Sequence, residues 1–165
     1  MEKRGSTVSP VVHGTFTIER ELPYAPERVF AAWSEPKAKA AWFSGPGGQW
    51  TPLEREMDFG VGGRECAKGR WQSGVVTDFQ AHYLDIVPLR RIVYAYNMHV
   101  DGKKISVSLA TIQFESLNKG TRLIVTEQGA FLDGYDDAGG QGHVGQVHLS
   151  RDQGARAPGL HRLVF

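Results

Sequence analysis

Between His13 and Leu22 the chain alternates, with Phe16, Ile18 and Leu22 set against Thr15, Thr17, Glu19 and Glu21. Period two predicts a half-buried strand. The period then changes. Pro26 suits the first turn of a helix and Glu27 its positive end. Val29, Phe30 and Trp33 fall on one helical face. Pro36 predicts a boundary, with Ser34 able to cap a second short helix that ends at Trp42–Phe43. SGPGG (44–48) closes this unit. Beyond it the pattern is mostly strand: 54–59, a glycine-rich turn GVGGREC, and a long mixed run over 75–87.

The strongest local signal is RIVYAYNMHVDGKKISVSLATIQF. Asp101-Gly102 between two alternating runs predicts a two-residue hairpin turn with positive φ. A simple ladder from that turn pairs Val100 with Lys103, Met98 with Ile105, Tyr96 with Val107, Tyr94 with Leu109 and Ile92 with Thr111. Opposed residues share a face. Ile92, Tyr94, Tyr96, Met98, Ile105, Val107 and Leu109 would then form an apolar face, opposite Val93, Ala95, Asn97, His99, Ser106 and Ser108. A second hairpin turns through Leu117–Gly120. With Leu117 against Thr121, Leu123, Val125 and Glu127 join the apolar face, while Ile112, Phe114 and Ile124 take the other. The switch near Ala110–Ile112 predicts a bend or bulge.

One strand, two short helices and about six antiparallel strands make an α+β domain. Its apolar sheet face needs more cover than two short helices provide, and a long C-terminal helix would supply it. The chain instead turns to glycine after Asp137. Gly139, Gly140, Gly142, Gly145, Gly154 and Gly159 each disfavour helix by about 1 kcal/mol relative to Ala, and Pro158 interrupts the remainder. The expected organisation is a loose arm over 1–12, a folded domain over 13–138 and an irregular tail over 139–165.

Composition narrows the function. Lys plus Arg total 19 and Asp plus Glu 18. That balance gives no electrostatic reason to expect nucleic acid or an anionic membrane. The first residues lack a signal-peptide core, and no apolar run is long enough to span a bilayer. Cys66 is the only cysteine. A soluble cytoplasmic protein is expected.

Candidate chemistry is sparse. The six histidines show no metal-ligand spacing, and neither a metal nor a cofactor is expected. There is no G-x-S-x-G elbow. Arg64 and Lys68 could favour a Cys66 thiolate, but a lone cysteine reads more simply as a small strand residue. GPGG (45–48) and GVGG (60–63) lack the lysine of a phosphate loop and read as turns. No catalytic residue is assigned. The informative set is Tyr94, Tyr96 and Met98 on the sheet, Trp33 and Trp42 on the helices, and Glu127. Apolar walls with a few converging polar groups describe a small-molecule site, and a packed core is the competing reading. Glu127, if buried there, would have a raised pKa and could donate a proton or anchor a hydrogen bond. An ion pair with Arg91 or Arg64 is the simpler expectation.

The runs APERVFAAWSEPKAKAAWF, GGRE, HYLDIVPLRRIVYAYNM and GTRLIVTEQGAFLDGYDD, in this order, resemble the SRPBCC or START-like superfamily. Within it they are similar to the branch named for the activator of heat-shock protein 90 ATPase. The resemblance covers about residues 13–138. It implies a helix-grip fold, in which a curved antiparallel sheet grips a long C-terminal helix around a site for apolar molecules. Here the tail is expected to replace that helix. The resemblance implies non-catalytic binding of an apolar or aromatic ligand by Trp33, Trp42, Tyr94, Tyr96, Met98 and Glu127. Two alternatives follow from it: a co-chaperone acting on a heat-shock ATPase, and a cyclase- or hydrolase-type enzyme. An uncovered sheet face would also favour self-association.

Overall fold

The computed structural model describes residues 9–45 and 48–135. The tail expected over 139–165 lies outside them, as do Asp136 and Asp137. Seven strands form one curved antiparallel sheet: β1 Val11–Leu22, β2 Trp50–Met57, β3 Arg64–Trp71, β4 Val76–Val87, β5 Arg91–Val100, β6 Lys103–Leu117 and β7 Gly120–Leu132. Their spatial order is β1-β7-β6-β5-β4-β3-β2. β2 to β7 form a meander, and β1 closes onto β7. Two helices, α1 Pro26–Ser34 and α2 Pro36–Trp42, therefore carry the chain from one edge of the sheet to the other. β1 starts two residues inside the expected arm. β3 occupies sequence read partly as turn.

The helix break is where Pro36 predicts it. Glu35 stands between the helices in extended conformation, as the residue before a proline prefers. It takes the N-cap position expected for Ser34, which instead ends α1, and α2 has no side-chain cap. Pro36 has no N–H to offer the Ala32 carbonyl, its partner in a continuous helix. The Trp42 indole Nε1 donates to that carbonyl at 2.8 Å. The second helix thus satisfies the group that its own first residue leaves open. Phe30 of α1 meets Phe114 edge-on at 5.2 Å, which seats the helices on the sheet.

The Asp101-Gly102 turn forms as predicted, with φ of 48° and 81° and Val100 opposite Lys103. The ladder beyond it does not. His99 pairs with Lys104, but Met98 pairs with Ser106, so Ile105 is an extra residue. Past this bulge Tyr96 opposes Ser108, Tyr94 opposes Ala110 and Ile92 opposes Ile112. Tyr96 and Ser106 therefore share a face, contrary to the expected register. Ile112 and Phe114 are buried on the core side, and Val107 faces outward at 42 % exposure. The physical reason is size matching. The bulge sets Ser106, Ser108 and Ala110 against Met98, Tyr96 and Tyr94, where the unbulged ladder would crowd large residues against one another. The irregularity lies at Ile105, not near Ala110–Ile112.

The second hairpin pairs Leu117 with Gly120 and Ser116 with Thr121, one residue off the expected pairing. Leu123, Val125 and Glu127 nevertheless face the core as expected. Gly120 adopts φ +146°, and a Cβ there would lie 2.0 Å from the Leu22 backbone oxygen. Neither side can yield cheaply. Gly120→Ala is expected to cost about 2–3 kcal/mol, read as a lower urea midpoint. A midpoint within error of the parent would show that the chain relaxes around this contact.

Candidate functional site

Two tyrosine–glutamate pairs stand on the helix-bearing face of the sheet. The first is built by α2, which turns Lys39 and Trp42 inward three residues apart. The Lys39 Nζ lies 2.6 Å from Glu65 Oε2 on β3, with the two side chains 1 % and 2 % exposed. The Tyr83 hydroxyl of β4 donates to the same carboxylate oxygen at 2.5 Å. Four rings surround the ammonium: Phe43 at 5.1 Å, Tyr94 at 5.3 Å, and Trp33 and Tyr83 each at 5.8 Å. Burial lowers the Lys39 pKa, and Glu65 opposes that shift by charge and hydrogen bond. Burial and the Glu65 charge push the Tyr83 phenol far above its usual range. Arg55, half-buried on β2, donates to the Phe43 carbonyl at 2.6 Å.

The second pair joins β5 to β7. The Tyr96 hydroxyl donates to Glu127 Oε1 at 2.9 Å, and Ser108 on the intervening β6 hydrogen-bonds with the same phenol. Glu127 is 6 % exposed. Burial raises its carboxyl from 4.5 to about 7, while the Tyr96 hydrogen bond pulls the other way. The expected arginine partners are elsewhere: Arg91 pairs with Asp85 at 2.5 Å, and Arg64 is exposed on β3. Among the described residues no cation pairs with Glu127. On the core side of β7, Thr121, Leu123 and Val125 are all but inaccessible, whereas Gly129 and Phe131, beyond Glu127, are half-buried. Phe16 opposes Glu127 from β1 and is half-buried too. The Phe131 ring covers Gly129 so closely that a Cβ there would meet it at 3.2 Å.

The residues singled out from sequence gather on this one face. Trp33 and Trp42 stack edge-on at 4.8 Å under the helices beside Lys39. Tyr94 lies between the two pairs, its ring 6.0 Å from that of Tyr96. Met98 is half-buried next to Phe79, its cross-strand partner. The sequence pattern does not single out Lys39, Glu65 or Tyr83. A lysine on the inward face of α2, three residues before Trp42, was the available signal. Cys66 carries no thiolate. Burial, then Glu54 and Asp78, push its pKa up to about 11, and Arg64 and Lys68 do not offset this. Among the described residues no three His, Cys, Asp or Glu side chains come together as a metal site. No described helix is long and apolar enough to cross a membrane.

Comparison with known proteins agrees with this architecture. The model of the family "Activator of Hsp90 ATPase homolog 1-like protein" matches residues 23–150, which carries the likeness past position 138. The structure of an uncharacterized protein from Rhizobium leguminosarum is 44 % identical, with a TM-score of 0.75 over 79 % of this chain and 86 % of that one. The Mll3558 protein from Rhizobium loti is 40 % identical, with a TM-score of 0.72 over 78 % and 87 %. An AHSA1-like protein from Aeromonas hydrophila shares the fold at 23 % identity and a TM-score of 0.54, over 69 % and 74 %. No curated protein matches the chain. With its two short helices seated on a curved sheet, the chain belongs to the Activator of Hsp90 ATPase homolog 1-like family, within the START-like superfamily.

Proposed function

We propose that this domain binds a small apolar or aromatic molecule on the helix-bearing face of its sheet, without chemistry, as a soluble cytoplasmic protein. The observation that carries the reading is the end of that face around Glu127. There the tight core gives way to half-buried Phe16, Met98, Gly129 and Phe131, with a carboxyl group and two hydroxyls among them. Apolar walls with a few converging polar groups are the usual makings of a ligand site. Tyr94 and Tyr96 line the wall with phenols that burial keeps protonated, so they orient a guest rather than attack it. Trp33 and Trp42 stand on the same face, under the helices beside Lys39.

Amide chemical shifts followed during titration with apolar aromatic compounds test this. Perturbations are expected at Tyr96, Met98, Ser108, Glu127 and Gly129. Shifts confined to the outer face, around Val107 and Leu84, would overturn it. The family match supports a second reading, stimulation of a heat-shock chaperone. The host chaperone's ATPase rate, with and without this protein, distinguishes the two.

A further inference from the structure

The two buried carboxylates are unequally supplied. Both lie on the same sheet face, and each takes a hydrogen bond from a tyrosine hydroxyl. Glu65 also has an ammonium at 2.6 Å, ringed by aromatic side chains. Glu127 has the tyrosine and no cation among the described residues. The hydroxyls around it are already engaged with one another and with it. Its spare lone pairs can only accept, so a group that donates would complete it. Tyr96, which donates to it, packs 4.9 Å from Phe79 and 6.0 Å from Tyr94 by ring centroid, so aromatic rings stand on its β5 side.

We infer that the ligand of the Glu127 site is an apolar amine, whose ammonium takes beside Glu127 the place that Lys39 takes beside Glu65. The inference rests on the ligand-binding reading above and names the ligand's polar end. An ammonium supplies a charge-assisted hydrogen bond and cation–π contact to the rings, while its apolar body meets Phe16, Met98 and Phe131. A carboxylate ligand would set like charge against Glu127. A neutral ligand would leave Glu127, ionised at the pH 8 of the test, without a countercharge.

Three probes of one shape separate these cases: 1-naphthylmethylamine, 1-naphthalenemethanol and 1-naphthoic acid, titrated calorimetrically into the full chain at pH 8. The amine is expected to bind tighter than the alcohol by about tenfold or more, with the acid weakest. In Glu127→Gln the amine-to-alcohol ratio should fall to about one. The amine should also raise the urea midpoint of the unmodified chain more than the alcohol does, a measurement that needs no variant. Equal binding of amine and alcohol, or tightest binding of the acid, overturns the amine assignment and leaves the binding site standing. No binding by any of the three overturns both.

Discussion

Lys39→Met is expected to cost about 3–5 kcal/mol, measured by urea unfolding at neutral pH, because it strands a buried carboxylate. Glu65 is 3 % exposed, its remaining hydrogen-bond partner is the Tyr83 hydroxyl, and Arg55 acts on it by charge. One hydrogen bond does not offset the desolvation of a charge in a wall of aromatic rings. The loss belongs to the pair and not to lysine as such. Adding Glu65→Gln removes the charge and keeps an acceptor for Tyr83. Most of the loss is then expected to return in the double variant, as it does when buried pairs are replaced together. A double variant as unstable as Lys39→Met alone would show that Lys39 acts through packing of its stem instead.

Glu127→Gln is expected to have the opposite sign and to depend on pH. The folded-state carboxyl titrates at about 7, above its ordinary 4.5. The folded chain therefore holds this proton more tightly than the unfolded chain does. The stability that goes with it is complete below the ordinary value and is lost as pH rises towards the folded one, by about 1.4 kcal/mol per pH unit. Glutamine cannot ionise but still accepts from Tyr96. At pH 8 the variant is expected to exceed the parent by about 2–3 kcal/mol, and at pH 4.5 the two are expected to be nearly equal. A stability difference that does not change between these pH values would mean that Glu127 is not held in a desolvated setting. An amine bound beside Glu127 would relieve the same penalty that the glutamine removes.

Local chemistry made much of this molecule legible in its sequence. Pro26 and Pro36 act through a fixed φ and a missing N–H, so the tandem helices could be read from adjacent residues. The Asp101-Gly102 turn was equally local. Glu127 reached the correct face because alternation along β7 is unbroken from Leu123. The bulge at Ile105 was hidden, because its cause is the fit of Ser106 and Ser108 beneath side chains of another strand. One inserted residue moved Val107 and Leu109 from the expected core to the outside. The Lys39–Glu65–Tyr83 cluster was hidden for a similar reason. Its members come from α2, β3 and β4, and each looks like an ordinary surface residue until the strands are assembled.

The pairing of β1 with β7 bears on the order in which the molecule can assemble. β2 to β7 are joined by short connections, so their contacts form between near neighbours and need little loop closure. The β1 pairing is different, because the Thr17 and Thr126 hydroxyls that meet at 3.0 Å are 109 residues apart in the chain. That contact comes late on entropic grounds and is an early one to be lost when the domain begins to open. Phe16, which faces Glu127, arrives with it. The meander can therefore stand with Tyr96 and Glu127 already joined while Phe16 is still absent, and on the proposed ligand-binding reading docking of the first strand is the step that would enclose a guest.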